Sequence, residues 1–216
     1  MIFQNLLAVE QAMDYKAHWE RIYSATEPTE VSWYQSRPTR SLELLGAVGV
    51  GPRSMIIDVG GGDSVLVDAL VERRLGHVTV LDISGAALAR AQTRLGARAG
   101  EVTWLEADVT RAELPPHAYD VWHDRATFHF LTELDDRERY VATAAAALRS
   151  QGTLIVATFA PRGPTRCSGL DVARYDPEGL AEEFGEEFTL LRGFGDVHRT
   201  PTGAEQSFTY AVFRRR

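Results

Sequence analysis

The stretch MIIDVGGG at residues 55–62 decides the fold. Its first five residues are mostly apolar and favour a short buried strand, and the three glycines after them favour a tight turn. Apolar residues then return at the spacing of one helix face, at Val65, Leu66, Ala69 and Leu70. Strand, glycine turn and helix in this order are typical of the first unit of a parallel α/β sheet.

The same alternation of short apolar runs with helical segments continues along the chain. We predict further strands at residues 77–82, 102–105, 119–122 and 153–159. An alanine-rich helix is predicted over residues 137–149, followed by a turn at Gly152. Five strands joined by helical crossovers predict a doubly wound sheet.

The carboxyl-terminal part departs from this alternation. Residues 188–197 and 206–213 are both strand-like, and the turn at residues 200–203 leaves no room for a helix between them. Such a pair must run antiparallel. We therefore expect an α/β fold with a Rossmann-like doubly wound sheet of seven strands, mostly parallel, with an antiparallel C-terminal strand pair.

A length of 216 residues suits one domain. We assign residues 51–216 to the sheet-bearing, ligand-binding domain and residues 1–50 to an N-terminal helical extension that acts as its lid. Within the extension, residues 1–13 carry an apolar run without a basic region or a cleavage site. We interpret this run as a short helix or a loosely attached arm and not as a signal peptide.

Composition narrows the possible partners and compartments. The net charge is −7 and no basic patch stands out, which argues against nucleic-acid binding. No stretch approaches the ~20 apolar residues of a spanning helix, which argues against a membrane protein. The single cysteine, Cys167, cannot form an internal disulfide, and the spacing of Cys and His predicts no metal site. We expect a cytoplasmic monomer or homodimer.

The glycine turn and two carboxylates predict a nucleoside site. Ligands of open parallel sheets bind beyond the carboxyl ends of the strands, where Gly60 and Gly62 let the backbone approach closely. Asp82 ends the second strand about 20 residues later, where a carboxylate accepts both ribose hydroxyls. Asp108 ends the third strand, where it could accept a hydrogen bond from an adenine amino group. Each aspartate has an alternative role as a cap of the segment that follows it.

One position disfavours an NAD-dependent oxidoreductase. The dinucleotide fingerprint counted from Gly60 requires a glycine at position 65, and this chain has Val65 there. The pattern therefore favours a nucleoside site that lacks the pyrophosphate fingerprint.

Four segments together resemble a known family. In order and spacing, residues 58–62, 81–84, 106–109 and 119–122 resemble the cofactor motifs of class I S-adenosylmethionine (SAM)-dependent methyltransferases. The resemblance implies SAM as the cofactor and S-adenosylhomocysteine (SAH) as its product. Ser64 stands where the family often has a third glycine. The residues of these motifs that the resemblance implies in cofactor binding are Asp58, Gly60, Gly62, Asp82, Ile83, Asp108 and Val109.

The turn after the fourth strand, residues 123–130, is dense in titratable and aromatic side chains. Methyl transfer is an in-line displacement in which the protein positions a nucleophile and sometimes deprotonates it. We predict His129 as a base or acceptor-orienting group, Asp124 near the methionine end of the cofactor, and His123 as a further candidate. The alternatives are a packed imidazole for His129 and a structural hydrogen-bond donor for His123.

Residues 18–23 and 32–34 supply the predicted lid. Arg21 offers a planar fork for the methionine carboxylate, and the ring faces of Tyr23 and Trp33 attract a sulfonium. The alternative is an amphipathic helix whose aromatic residues anchor it on the sheet.

These segments and the 123–130 turn resemble a subgroup that includes protein-lysine methyltransferases acting on translation elongation factor and on citrate synthase. That subgroup carries an acidic-Lys-Gly-Thr segment, which residues 124–127 match in the acid and the threonine, and His129 replaces its later aspartate. An imidazole suits deprotonating a thiol, hydroxyl or ring nitrogen, so a small-molecule N, O or S acceptor is the leading hypothesis. A protein lysine is the alternative, and a non-catalytic SAM-binding regulatory module is the alternative of another class.

Overall fold

A computed structural model describes residues 13–216, and the expectation for the start of the chain falls on residues 1–12, outside this range. The helices are α1 Tyr15–Ala25, α2 Thr39–Ala47, α3 Leu66–Glu72, α4 Gly85–Leu95, α5 Leu134–Ala147 and α6 Pro177–Phe184. The strands are β1 Met55–Val59, β2 His77–Asp82, β3 Val102–Glu106, β4 Tyr119–Arg125, β5 Leu148–Phe159, β6 Arg166–Cys167, β7 Leu170–Asp171, β8 Phe188–Arg199 and β9 Glu205–Arg215. None of the helices in the described part of the chain combines the length and the apolar character needed to span a bilayer.

One seven-stranded sheet carries the fold, in the spatial order β3-β2-β1-β4-β5-β9-β8. Strands β1 to β5 run parallel, and β9 runs antiparallel to both of its neighbours, β5 and β8. The predicted seven-stranded, mostly parallel α/β sheet with an antiparallel C-terminal pair is therefore confirmed. Strands β6 and β7 form a separate two-stranded ladder after β5.

Alternating side chains on the central strands build two cores, one on each face of the sheet. Ile56 and Val121 belong to the core covered by α2, α3 and α4. Their neighbours Ile57 and Trp122 belong to the core covered by α5 and α6. Because helices cover both faces, the carboxyl edge of the sheet is the part that remains available for ligands.

The boundary between α5 and β5 differs from the prediction, which extended the helix to residue 149. The helix ends at Ala147, and β5 begins at Leu148, which pairs with Tyr119 ahead of a register shift in β4. Arg149 also forms an ion pair of 2.6 Å with Asp120 on β4. Pairing with β4 satisfies the backbone of this segment, so tertiary structure overrides the helical tendency of the alanine run.

Strand β4 is longer than predicted. Its last three residues, 123–125, were expected in a turn, but Asp124 pairs with Val59 of β1 and Arg125 with Ala157 of β5. The side chains of these residues are therefore positioned by the sheet and not by a loop above it.

Helix α6 was not predicted, although its local signals are present. Asp176 caps it by accepting a hydrogen bond of 2.8 Å from the Gly179 amide, and Pro177 occupies its first turn.

Candidate functional site

The strand order reverses direction between β1 and β4, since β2 and β3 lie on one side of this pair and β5 and β9 on the other. Doubly wound sheets bind ligands in the crevice at such a point, beyond the carboxyl ends of the strands. A cavity of about 950 Å³ opens here. Residues from the ends of β1, β2, β3, β4, β5 and β9 line it, so it extends across most of the sheet.

The glycine turn after β1 is packed too closely for any larger residue. Gly60 and Gly62 have φ angles of 61° and 53°, in the left-handed region. A Cβ on Gly60 would collide with Thr127 Oγ1, and a Cβ on Gly62 would lie 2.5 Å from the Tyr23 hydroxyl. Gly60 lines the cavity, whereas Gly62 is buried below Tyr23 and is not part of the cavity wall.

Asp82 combines the two roles that the sequence left open. Its Oδ1 accepts a hydrogen bond of 2.8 Å from the Ser84 amide at the start of α4, and the residue also lines the cavity beside Ile83. Burial raises the pKa of this carboxyl to about 7. The carboxyl is largely buried, but it borders the cavity at the end of β2. Hydroxyl donors bound there would stabilise its ionised form.

Asp108 likewise caps its own turn and faces the cavity. Its Oδ1 accepts hydrogen bonds from the Thr110 amide at 2.9 Å and from the Thr110 hydroxyl at 2.7 Å. Both Asp108 and the neighbouring Val109 line the cavity. The three carboxyl ends of β1, β2 and β3 therefore bring Gly60, Asp82 and Asp108 to one surface.

Aromatic residues of the N-terminal segment cover this surface. Tyr23 and Trp33 both line the cavity, with ring centroids 6.3 Å apart. Trp19, which the site prediction did not include, packs edge-on against Trp33 at 5.9 Å and against Phe130 at 4.9 Å. Its signal in the sequence was its position four residues before Tyr23, on the same face of α1.

Arg21 does not join this wall. Its side chain is exposed, its Nη2 lies 3.3 Å from His18 Nδ1, and it does not line the cavity.

The predicted catalytic residue His123 is paired with the predicted cofactor residue Asp58. The imidazole Nδ1 donates to Asp58 Oδ1 at 2.7 Å, and Nε2 lies 2.9 Å from the Ser41 hydroxyl of α2. All three side chains are buried, and none of them lines the 950 Å³ cavity.

Asp124 is fully buried and points into the core beneath the turn. Its carboxylate accepts hydrogen bonds from the Thr127 amide at 2.9 Å, the Phe128 amide at 3.0 Å and the Tyr140 hydroxyl at 2.6 Å. Burial raises the pKa of this carboxyl to about 6. The residue does not line the cavity, and its contacts are those of a turn cap.

His129 is fully buried between two phenylalanine rings, with centroids 4.6 Å from Phe130 and 4.6 Å from Phe159. Its Nδ1 accepts a hydrogen bond of 3.2 Å from the Phe159 amide, so the proton of the neutral ring is on Nε2. Burial, and then the charge of Arg125, lower the pKa of His129 to about 3. It is not part of the cavity wall.

Arg125, Phe159, Cys167 and Phe208 line the end of the cavity toward β5 and β9, and the site prediction named none of them. Cys167 comes from β6, which follows β5. His198 of the neighbouring β8 donates a hydrogen bond of 2.7 Å from Nε2 to the Ser32 carbonyl and does not line the cavity.

The strand order and the cavity over its switch point define the fold of class I SAM-dependent methyltransferases. Residues 56–152 match the family model described as a methyltransferase domain. The structure of a SAM-dependent methyltransferase from Anabaena variabilis is similar with a TM-score of 0.74 at 16% identity, over 95% of this chain and 96% of that one. The resemblance drawn from the motifs is confirmed.

Two curated relatives each match about half of the chain. An uncharacterized methyltransferase of Mycobacterium tuberculosis is 36% identical over 104 residues, which are 48% of this chain and 50% of that protein. The eEF1A lysine and N-terminal methyltransferase of Bos taurus is 26% identical over 112 residues, 51% of this chain and 16% of that protein. The similarity to the elongation-factor subgroup is thereby confirmed, while this chain spans about half the length of the mycobacterial relative.

Proposed function

We propose that this chain is a SAM-dependent methyltransferase that binds SAM in the 950 Å³ cavity and methylates a small molecule bound beside it. The observation that carries this proposal is the convergence of Gly60, Asp82 and Asp108, from three adjacent strand ends, on one cavity at the switch point. The match of residues 56–152 to a methyltransferase domain supports the same assignment.

The chemistry of the cavity wall fits the parts of SAM. Asp82 would accept the ribose hydroxyls, and Asp108 with Val109 would meet the adenine ring. The close-packed turn at Gly60 would let the methionine part lie against backbone. When bound, SAM supplies a methyl group on a positively charged sulfur, which needs no further activation.

The aromatic wall of Trp19, Tyr23, Trp33 and Phe130 would then serve as the lid. Aromatic faces attract a sulfonium, and four rings in edge contact exclude water from the reacting groups. In-line transfer depends chiefly on positioning, which a closed apolar wall provides. We place the lid in residues 13–50 of the predicted extension.

The size and lining of the cavity favour a small acceptor. Ligand pockets usually measure about 300–1,000 Å³, so a cavity of about 950 Å³ can hold the cofactor and a second small molecule. The part nearest β5 and β9 is lined by Phe159 and Phe208 and by the cation Arg125. A lysine ammonium would meet a like charge there, which disfavours the protein-lysine alternative.

Radiolabelled methyl transfer tests this proposal. Purified protein is incubated with methyl-tritiated SAM and either a metabolite extract or a protein lysate, with Asp82→Ala protein as the binding-deficient control. We expect label in low-molecular-weight products of the metabolite extract. Label on proteins would establish the lysine alternative instead. SAH binding without transfer to either pool would identify a non-catalytic module.

A further inference from the structure

The guanidinium of Arg125 lies at the end of the cavity formed by β4, β5 and β9, here called the acceptor end, and has no carboxylate partner among residues 13–216. Resting on the proposed function, we propose that the methyl acceptor is a flat, largely apolar molecule carrying an anionic group, a carboxylate in the simplest case, and that Arg125 binds this anion. Arg125 would thus determine which acceptors enter the site.

The contacts of Arg125 leave part of its charge unmatched. Its Nε donates to the Tyr210 hydroxyl at 3.3 Å and its Nη1 to the Trp33 carbonyl at 3.2 Å. Its Nη2 is buried and has no hydrogen-bond partner among residues 13–216. No ion pair within 4.0 Å involves Arg125 in the same range. Buried polar atoms are normally paired, so an orphaned guanidinium donor beside a cavity points to a ligand acceptor.

The carboxylates along the cavity lie at one of its two ends. That end, formed by α1, β2, β3 and α5, carries Asp14, Asp82, Asp108, Glu133 and Asp136, and the cations Lys16 and Arg111 line it as well. At the β4, β5 and β9 end, the charged side chain of the wall among the described residues is Arg125. Burial, followed by the charge of Arg125, lowers the pKa of both His129 and His198, so the positive field reaches across this end. An anion is favoured there and an ammonium is disfavoured.

The direction of the side chain separates this anion site from the cofactor's own carboxylate. Arg125 Cζ lies 4.8 Å from the ring centroid of Phe208, and both Phe208 and Tyr210 belong to β9. Strand β9 is two positions from β4, on the side away from β1 and Gly60. Because neighbouring strands lie ~4.8 Å apart, β9 lies roughly 10 Å from β4. The guanidinium therefore contacts the β9 side of the cavity, although Arg125 also borders a smaller cavity of about 60 Å³ that Gly60 and Gly61 line.

The same end offers an apolar wall for the body of the acceptor. Phe159 and Phe208 meet edge to face with ring centroids 4.9 Å apart, and both line the cavity with Phe130 and Trp33. Flat apolar molecules bury well against such rings. An anchored anion and an apolar wall together orient one face of the molecule toward the methyl donor.

Calorimetry with matched probes tests the inference on the SAH-saturated protein. Naphthoate and its neutral amide, naphthamide, have the same shape and differ in charge. We expect naphthoate to bind about tenfold or more tightly than naphthamide, the scale of a charge-assisted hydrogen-bond pair. In Arg125→Met protein the two probes should bind within about twofold of each other, with SAH affinity unchanged. Arg125→Lys should retain part of the preference, and Arg162→Met, at an exposed loop position, should retain all of it.

Several outcomes would overturn the inference. Equal binding of both probes to the wild type, binding of neither, or a preference that survives in Arg125→Met would each do so. Loss of SAH affinity in Arg125→Met would mean that Arg125 binds the methionine carboxylate of the cofactor. If the wild type does not bind SAH, the proposed function fails together with the inference, whereas normal SAH binding without an acid preference removes the inference alone. Circular dichroism on each variant confirms that the compared samples are folded.

Discussion

His123 and Asp58 lie opposite each other on β4 and β1, and the imidazole Nδ1 donates a hydrogen bond of 2.7 Å to the carboxylate. A Cβ on Gly61 would lie 2.8 Å from the second oxygen of this carboxylate, so the pair sits directly under the glycine turn. Ser41 completes the arrangement from α2. The pair ties a helix of the N-terminal segment to the two strands that flank the cavity.

Replacing His123 by Ala should cost stability and spare the chemistry. The change leaves the buried carboxylate of Asp58 without its partner, which should lower the free energy of unfolding by about 3 kcal/mol. His123 does not line the cavity, so SAH affinity per folded molecule should be unchanged. His77→Ala, at an exposed position, is the control. Full stability with lost turnover would return His123 to a catalytic role.

The His129→Asn variant separates a base from a packed imidazole. A general base works best with a pKa near the operating pH, whereas burial holds the pKa of His129 near 3. We therefore expect a melting temperature lower by several degrees, from lost packing against Phe130 and Phe159, and turnover per folded molecule within about twofold of wild type. Both are measured on one sample. A fall of ~10²-fold in turnover at unchanged stability would support the base predicted from the sequence.

The fold was predictable because its decisive signals are local. Apolar runs, glycine turns and strand-end aspartates specify where β1, β2 and β3 stop, and this is enough to bring Asp82 and Asp108 to the cavity. The positions of residues 123–125 were harder to predict, because they depend on how far β4 continues. These three residues pair with neighbouring strands and so belong to β4 and not to the predicted loop. Asp124 then points into the core.

The acceptor end of the cavity could not be derived from local sequence. Arg125 contacts Phe208 and Tyr210 only because β9 pairs with β5 in the sheet, although β9 begins 46 residues after β5 ends, at residues 205 and 159. Likewise Trp19 reaches Phe130 only when α1 folds over the sheet edge. Long-range packing of this kind leaves no periodic signature.

Cofactor binding should depend on pH through Asp82. Burial raises the pKa of its carboxyl to about 7, and ribose hydroxyls donate best to the ionised form. Protonation therefore competes with binding, so affinity is retained above this pKa and lost as the pH falls through it. Between about pH 8 and about pH 6, SAH affinity should weaken about tenfold. Asp82→Asn should remove this slope, and an identical slope in both proteins would place the titrating group elsewhere.

The close packing of Gly62 against Tyr23 predicts that the stability cost of Gly62→Ala depends on the Tyr23 hydroxyl. Gly62→Ala adds a Cβ 2.5 Å from the Tyr23 hydroxyl, in addition to the strain of a φ of +53°. Gly49→Ala, with a φ of +82° and no atom of the described residues within 4 Å of the new Cβ, measures the strain alone. We expect urea titration to show about 1 kcal/mol lost in Gly49→Ala and more in Gly62→Ala. Adding Tyr23→Phe should recover part of the excess. Equal losses in the two glycine variants would show that the hydroxyl moves away freely.

Isothermal titration calorimetry with SAH, SAM and NAD distinguishes a SAM site from a dinucleotide site. We expect SAH and SAM to bind at one site per chain and NAD not to bind, because Val65 interrupts the pyrophosphate fingerprint. Asp82→Ala should weaken SAH binding by about 1.5–3 kcal/mol, the scale of a hydrogen bond to a charged group, while Asp135→Ala, at an exposed position, should not. Binding of NAD with no response to either SAH or SAM would show that the cavity is not a SAM site.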